Sequence, residues 1–164
     1  SGQSSKIDFI LDLMEKIIMR DEKGIIFSFW IEPLKILLKR ANKSLESKSY
    51  LFTGDQTLEE RKTVIDNFKN ESKSSFLLCS GKIASEGLNL TEANHVIFLN
   101  LWWNPSTNNQ ALARVDRMGQ KKEVFEYKIF TKNSIEEDQE RILKDKVKLN
   151  DEIIEKIVLK ESNK

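Results

Sequence analysis

Hydrophobic positions along the chain follow two alternating periods. Between Lys6 and about Met19, Ile7, Ile10, Leu11, Met14, Ile17 and Ile18 recur at helical spacing, and Ser5 with Asp8 reads as a capping-box start. Gly24 closes the turn that follows, and Ile25 to Phe29 is an unbroken apolar run of the kind found in strands buried on both faces. Pro33 suits the first turn of a second helix bearing Leu34, Ile36, Leu37, Leu38 and Ala41, with Lys35, Lys39, Arg40 and Lys43 as its basic side. Tyr50 to Phe52 reads as a short second strand. Thr53-Gly54-Asp55 is turn chemistry, and Thr57 with Glu60 forms a capping box opening a helix through Leu58, Val64, Ile65 and Phe68. Beyond a polar loop from Asn70 to Ser74, strands are expected at Phe76 to Cys79, Val96 to Leu99 and Val124 to Phe130. Between the last two, a helix is expected from about Ser106 to Met118, with Gly119 at its C-cap. A closing helix capped by Ser134 and Glu137 is acidic early and basic late, as the helix dipole favours.

Apolar strands separated by helices imply right-handed crossovers, so the expected fold is α/β and doubly wound, a mainly parallel sheet flanked by helices. Such sheets bind ligands at the carboxyl ends of their strands, which directs attention to the segments after Phe29, Phe52, Cys79 and Leu99. Residues 1–4 are read as a cloning scar without structure of its own, and residues 5–164 as one domain.

Composition narrows the class. A chain of 164 residues, 39% hydrophobic and 32% charged, fits one globular domain with a single core, not a disordered or collagenous chain. Runs such as Ile25 to Trp30 and His95 to Leu99 fall well short of the ~18 residues of a membrane helix, so no membrane partner is expected. With 27 basic against 26 acidic residues the chain lacks a whole-domain basic field, and any nucleic-acid contact must be local. The single cysteine, Cys79, and single histidine, His95, provide neither a disulfide framework nor a metal set, and both are expected to pack in the core. An intracellular, reducing compartment without a metal centre follows.

The nucleotide signatures that a self-contained enzyme of this class needs are missing. No G-x-G-x-x-G follows a strand, Gly81-Lys82 lacks both the upstream glycine and the following hydroxyl of a Walker A loop, and no G-x-S-x-G occurs. Polar chemistry concentrates in two places instead. In the stretch from Gln110 to Gln120, helical spacing places Gln110, Arg114 and Arg117 on one face with the two guanidinium groups about one turn apart. Paired planar donors of this kind suit a phosphate chain and stabilise a phosphoryl-transfer transition state across an interface; spacing alone favours a solvated face with surface ion pairs. The second place is the glycine-bearing loop from Ser80 to Thr91, whose backbone donors with Ser80, Lys82 and Thr91 suit a phosphate, a plain connection being the other reading.

Here the sequence resembles the second RecA-like lobe of the Swi/Snf-type DNA-dependent ATPases of helicase superfamily two, from Ser5 to about Leu149. Ile25 to Trp30 resembles motif IV, Phe52-Thr53-Gly54-Asp55 with Glu59-Glu60-Arg61 the following D-G-S…R segment, and Ser80 to Thr91 motif V. Trp103-Asn104-Pro105 is similar to the W-N-P element, and Gln110 to Gln120 matches the Q-A-x-x-R-x-x-R-x-G-Q motif VI. The resemblance implies a RecA-like, P-loop NTPase fold without its own Walker A. It implies that Arg114 and Arg117 act as arginine fingers on ATP, held with Mg by a first lobe outside this chain. Gln110 would shape that interface and Gly87 would lie near the nucleotide. Ser28, Lys82, Thr91 and Trp103 would contact DNA, although Trp103 is read equally as a core or interface tryptophan, and Trp102 as packing.

Three departures stand out. Asp116 replaces the histidine usual before the second arginine, Ile83-Ala84-Ser85 replaces the A-G-G of motif V, and Asp55-Gln56 shifts the D-G-S pattern. The resemblance implies the activity of a double-stranded DNA translocase or remodeller, completed by the N-terminal RecA-like lobe of the same parent chain. The isolated lobe is expected to be an inactive monomer, DNA-associated in a bacterial cytoplasm or a nucleus. Two rivals stay open, a non-catalytic DNA-binding or interaction module that has kept the fold, and an RNA helicase lobe.

Overall fold

A computed structural model of the chain describes residues 2–81, 87–100 and 105–129, with the side chains of residues 2–4, 105 and 106 excepted. Helices α1 (Gly2–Met19), α2 (Ile31–Ser44), α3 (Leu58–Asn70) and α4 (Pro105–Ala113) alternate with strands β1 (Gly24–Ser28), β2 (Lys48–Phe52), β3 (Ser75–Ser80), β4 (His95–Phe98) and β5 (Phe125–Lys128). The strands form one five-stranded sheet in the order β2-β3-β1-β4-β5, and every pairing is parallel. The expected doubly wound α/β fold is thus present.

Period-two alternation distributes the strands' side chains between two cores. Ile25, Phe27, Leu77, Cys79, Val96 and Phe98 point to one face, where Ile65 and Phe68 of α3 and Ala111 of α4 cover them. Ile26, Phe76, Leu78, Ile97, Phe125 and Tyr127 point to the other, under Ile7, Ile10, Met14 and Ile17 of α1 and Leu34, Leu37 and Ala41 of α2. Apolar burial on both faces is what holds a parallel sheet together, and the continuous strand runs of the sequence express it. Lys23 extends its ammonium to the carbonyls of Phe68, Lys69 and Glu71, closing the C-terminal end of α3 at 2.9, 3.1 and 2.6 Å.

Several boundaries differ from expectation. Helix α1 starts at Gly2, so Ser5 lies inside it and does not cap it, and residues 2–4 are helical rather than structureless. Nothing in Gly2 to Ser4 stops the helix, and the apolar stripe that begins at Ile7 reports only where packing begins. Strand β1 ends at Ser28, and Phe29 and Trp30 are 47% and 63% exposed, because the chain turns there into α2. The Thr57–Glu60 capping box is present as read. Helix α4 ends at Ala113 and not at Met118. Phe130 and the closing helix expected from Ser134 lie outside the described residues.

Candidate functional site

The early end of α4 decides the geometry of the arginines. Past Ala113 the backbone carbonyls that would extend the helix are taken by other partners: Leu90 N–H, from a distant segment, donates to Arg114 O at 2.9 Å, and Val115 O accepts from Arg117 N–H at 3.2 Å and from the Gln120 side-chain amide at 3.0 Å. Val115, fully buried, turns into the core beside Ala111. The chain then makes a tight turn in which Gln120 N–H donates to Arg117 O at 3.0 Å, with Gly119 at φ +97° in its third position, a conformation that glycine adopts without strain. Gly119 is therefore a turn residue and not the C-cap of α4. Gln110, exposed on α4, shares no continuous helix face with Arg114 and Arg117, which sit half-buried and exposed in the turns beyond it.

This turn meets the end of the glycine-bearing loop. Arg117 Nη1 lies 3.5 Å from Leu88 O, one residue after Gly87, which is exposed at φ +33°. Arg114, Arg117 and the Gly87–Leu90 segment are thus brought together. Beside them an open cleft of about 250 Å³ is lined by Phe52, Leu58, Arg61, Lys62, Ile65 and Leu88. Arg61 braces its upper rim by donating to Gln56 O at 3.2 Å and Gly54 O at 3.4 Å, and Gln56 bridges Thr53 N–H and Leu51 O at 3.0 Å each. The Gln56 departure from the family pattern closes this loop instead of loosening it.

The other candidates are elsewhere. Ser28, at the carboxyl end of β1, is fully buried; its hydroxyl donates to Asn100 Oδ1 at 3.2 Å and accepts from Trp30 N–H at 3.1 Å. Its single proton is spent in organising the turn, where Asn100 also accepts from Phe29 N–H at 2.6 Å, so its side chain does not face solvent. Thr91 is half-buried next to Glu92, which pairs at 3.9 Å with Lys69 near the C-terminal end of α3, so the fold separates it from Ser28. Lys82, residues 83–85, Trp102, Trp103 and Asn104 lie outside the described residues. Among the described residues no cluster of His, Cys, Asp and Glu can hold a metal ion.

His95 and Cys79 are core residues, 1% and 2% exposed, as composition suggests. Burial pushes the Cys79 thiol far up, so it stays protonated. His95 is bracketed by Tyr127 OH at 2.8 Å and Glu22 Oε1 at 2.9 Å. Desolvation lowers its pKa, only partly opposed by Glu22, so the neutral ring donates from Nε2 to Glu22 and accepts the Tyr127 proton at Nδ1. Burial would raise the Glu22 carboxyl, but hydrogen bonds from His95, Arg20 and Asn94 outweigh it and hold the group down to about 2. This network stands at the amino ends of β4 and β5, far along the strands from Ser28, and is structural.

Leu90, Asn100 and the bracing role of Gln120 were not legible in sequence. Each acts through a backbone group or amide whose partner is distant in the chain, and only the terminal position of Gln120 in motif VI marked it at all.

Residues 5–119 match the helicase conserved C-terminal domain. YwqA of Bacillus subtilis, a candidate ATP-dependent helicase/translocase, is 35% identical over 155 residues, covering 94% of this chain and 17% of YwqA. The chain therefore spans a small part of the relatives it matches. The crystal structure of the C-terminal part of the Fun30 ATPase domain superposes with a TM-score of 0.77 at 33% identity, covering 88% of this chain and 46% of that one. The Sulfolobus solfataricus SWI2/SNF2 ATPase core in complex with dsDNA superposes with a TM-score of 0.68 at 29% identity, covering 85% of this chain and 29% of that one. With the domain matched over most of its length and its RecA-like sheet shared with these lobes, the chain belongs to the helicase conserved C-terminal domain family, as a lobe of the Swi/Snf type.

Proposed function

We propose that this chain is the second motor lobe of a Swi/Snf-type double-stranded DNA translocase or remodeller, and that Arg114 and Arg117 complete an ATP site held mainly by a first lobe. The observation that carries this reading is the junction of the arginine turn with the Gly87–Leu90 segment, made by Arg117 on Leu88 O and by Leu90 N–H on Arg114 O. That junction supports two guanidinium groups on rigid backbone beside an exposed glycine, which is half of a phosphate site. The donor set fits a triphosphate supplied from outside, since each guanidinium offers a planar fork of donors. ATP, held with its Mg by the first lobe, supplies the terminal phosphoryl group that is transferred to water. Closure of this lobe brings Arg117, with Arg114 beside it, against charge developing on that group, and Gln110 and Gly87 line the approach. Reopening releases the contact, and repeated closure moves the two lobes along the duplex. Lys82, Thr91 and Trp103 are the proposed DNA contacts, with Ser28 and Asn100 holding the carboxyl edge of β1. A DNA-associated, intracellular location goes with this reading.

The test is ATP hydrolysis by the two-lobed parent, with and without duplex DNA, beside its Arg117→Ala form. Duplex should stimulate hydrolysis, and the substitution should reduce kcat by ~10³-fold or more, the scale of a lost arginine finger. Activity indifferent to Arg117 would favour the non-catalytic module, and stimulation by RNA in place of duplex DNA would favour the RNA helicase lobe.

A further inference from the structure

We infer that Gln120 is a positioning residue for the arginine turn, acting on the reaction through Arg117; this rests on the arginine-finger reading above. Its side-chain amide has two protons and both are used, one on Ala93 O at 2.7 Å and one on Val115 O at 3.0 Å. Its Oε1 accepts from Lys122 N–H at 3.0 Å, which fixes which way the amide faces, since the flipped group would set its oxygen against two carbonyls. Its own N–H closes the turn on Arg117 O at 3.0 Å. One residue therefore ties together the residue after Arg114, the carbonyl of Arg117 itself, and the Leu90–Ala93 turn that receives the glycine-bearing loop.

The chemistry of the three contacts is specific to glutamine. Ala93 and Val115 are fully buried; the Val115 carbonyl also accepts from Arg117 N–H at 3.2 Å, whereas the Ala93 carbonyl takes its donor from Gln120. A glutamate at this position would aim a charged acceptor at two acceptors, and a methionine of similar shape would leave both carbonyls without this donor. Arg117 itself is exposed and its guanidinium stands at a long 3.5 Å from Leu88 O, so its aim depends on the backbone that carries it. A displacement of about 1 Å in a group that must meet a transition state can cost about 10²-fold in rate, the size of effect a loosened turn should give.

Two measurements test this. In the two-lobed parent, Gln120→Glu should lower kcat by about 10²-fold while KM for ATP is unchanged, since ATP is held by the first lobe. Combined with Arg117→Ala it should add nothing further, because the second change removes the group through which the first acts. Gln120→Met, which brings no charge, should lower kcat in the same direction by less and guards against misfolding of the glutamate variant. In this chain alone, amide hydrogen exchange should accelerate at Leu90, whose N–H is held by Arg114 O, while amides of β1 keep their protection. An Arg117→Ala defect with normal Gln120 variants would overturn the positioning role and leave the finger standing. An intact Arg117→Ala enzyme would overturn the finger and this role with it. Multiplying defects in the double variant, or Leu90 exchange that does not change, would each overturn the coupling to the turn.

Discussion

Single residues in this lobe are tuned by partners remote in sequence, and His95 is the clearest case. As the only histidine in the chain it invites a functional reading, yet Glu22, 73 residues away, and Tyr127, 32 residues away, bracket it in the core, where burial keeps it neutral against the pull of Glu22. The consequence is a stability that depends on acid. His95 has its pKa lowered by folding, so its contribution is complete above the unfolded value of 6.5 and declines as pH falls below it. The Glu22 carboxyl is held down to about 2, so its contribution is complete above 4.5 and is lost as pH falls through that window. Both act in one direction, and Tm should fall on acidification from neutral pH, beginning below about 6.5. Glu22→Gln should lower Tm at neutral pH and flatten the decline between 4.5 and about 2. A wild-type Tm that does not move between pH 6.5 and 4.5 would refute the neutral, buried His95.

At the scale of elements, local chemistry and tertiary demand compete for the helix ends. Thr57 and Glu60 cap α3 reciprocally, Glu60 N–H donating to Thr57 Oγ1 at 3.1 Å and Thr57 N–H to Glu60 Oε2 at 2.8 Å. The pair is exposed and needs no help from the core, which is why the sequence signature sufficed. Thr57→Ala should cost ~1 kcal/mol, read as a lower midpoint in urea unfolding with an unchanged slope. Ser5 and Asp8 carry the same signature without the cap, because the polar residues ahead of them continue α1. The reverse happens at α4, where a pattern of good helical spacing stops at Ala113 as Leu90 and Gln120 claim the carbonyls of Arg114 and Val115. Periodicity identifies which face of an element is apolar, but it does not register a hydrogen bond arriving from another segment.

At the scale of the whole molecule, the strand order β2-β3-β1-β4-β5 sends the connection out of β1 toward one edge of the sheet and the connection out of its neighbour β4 toward the other. That is where an open sheet offers a crevice, and Ser28, Asn100 and the start of α2 gather at its carboxyl end. The arginine turn lies instead beyond α4, on the face of the sheet that α3 covers. Net charge bears on partners at this scale. A chain of net charge +1 has no long-range field to concentrate DNA, so binding to duplex must come from local phosphate contacts. Affinity should therefore be weak, fall steeply with added salt and vary little among duplex sequences; a salt-insensitive affinity or a steep sequence preference, measured by fluorescence anisotropy, would oppose the proposed role.

The sequence by itself determined the number and type of the described elements, the parallel sheet with helices on both faces, the lack of a Walker A signature and the two stretches proposed to carry chemistry. These follow from periodicity, strand-length apolar runs and motif spacing, all of which are properties of neighbours along the chain. Tertiary structure alone decided that Arg114 and Arg117 leave their helix, that Ser28 turns its hydroxyl inward to Asn100, and that Gln120 binds Ala93, 27 residues away. The physical reason is the same in each case. A buried backbone carbonyl or amide must find a partner, and which group reaches it is settled only when distant segments pack together.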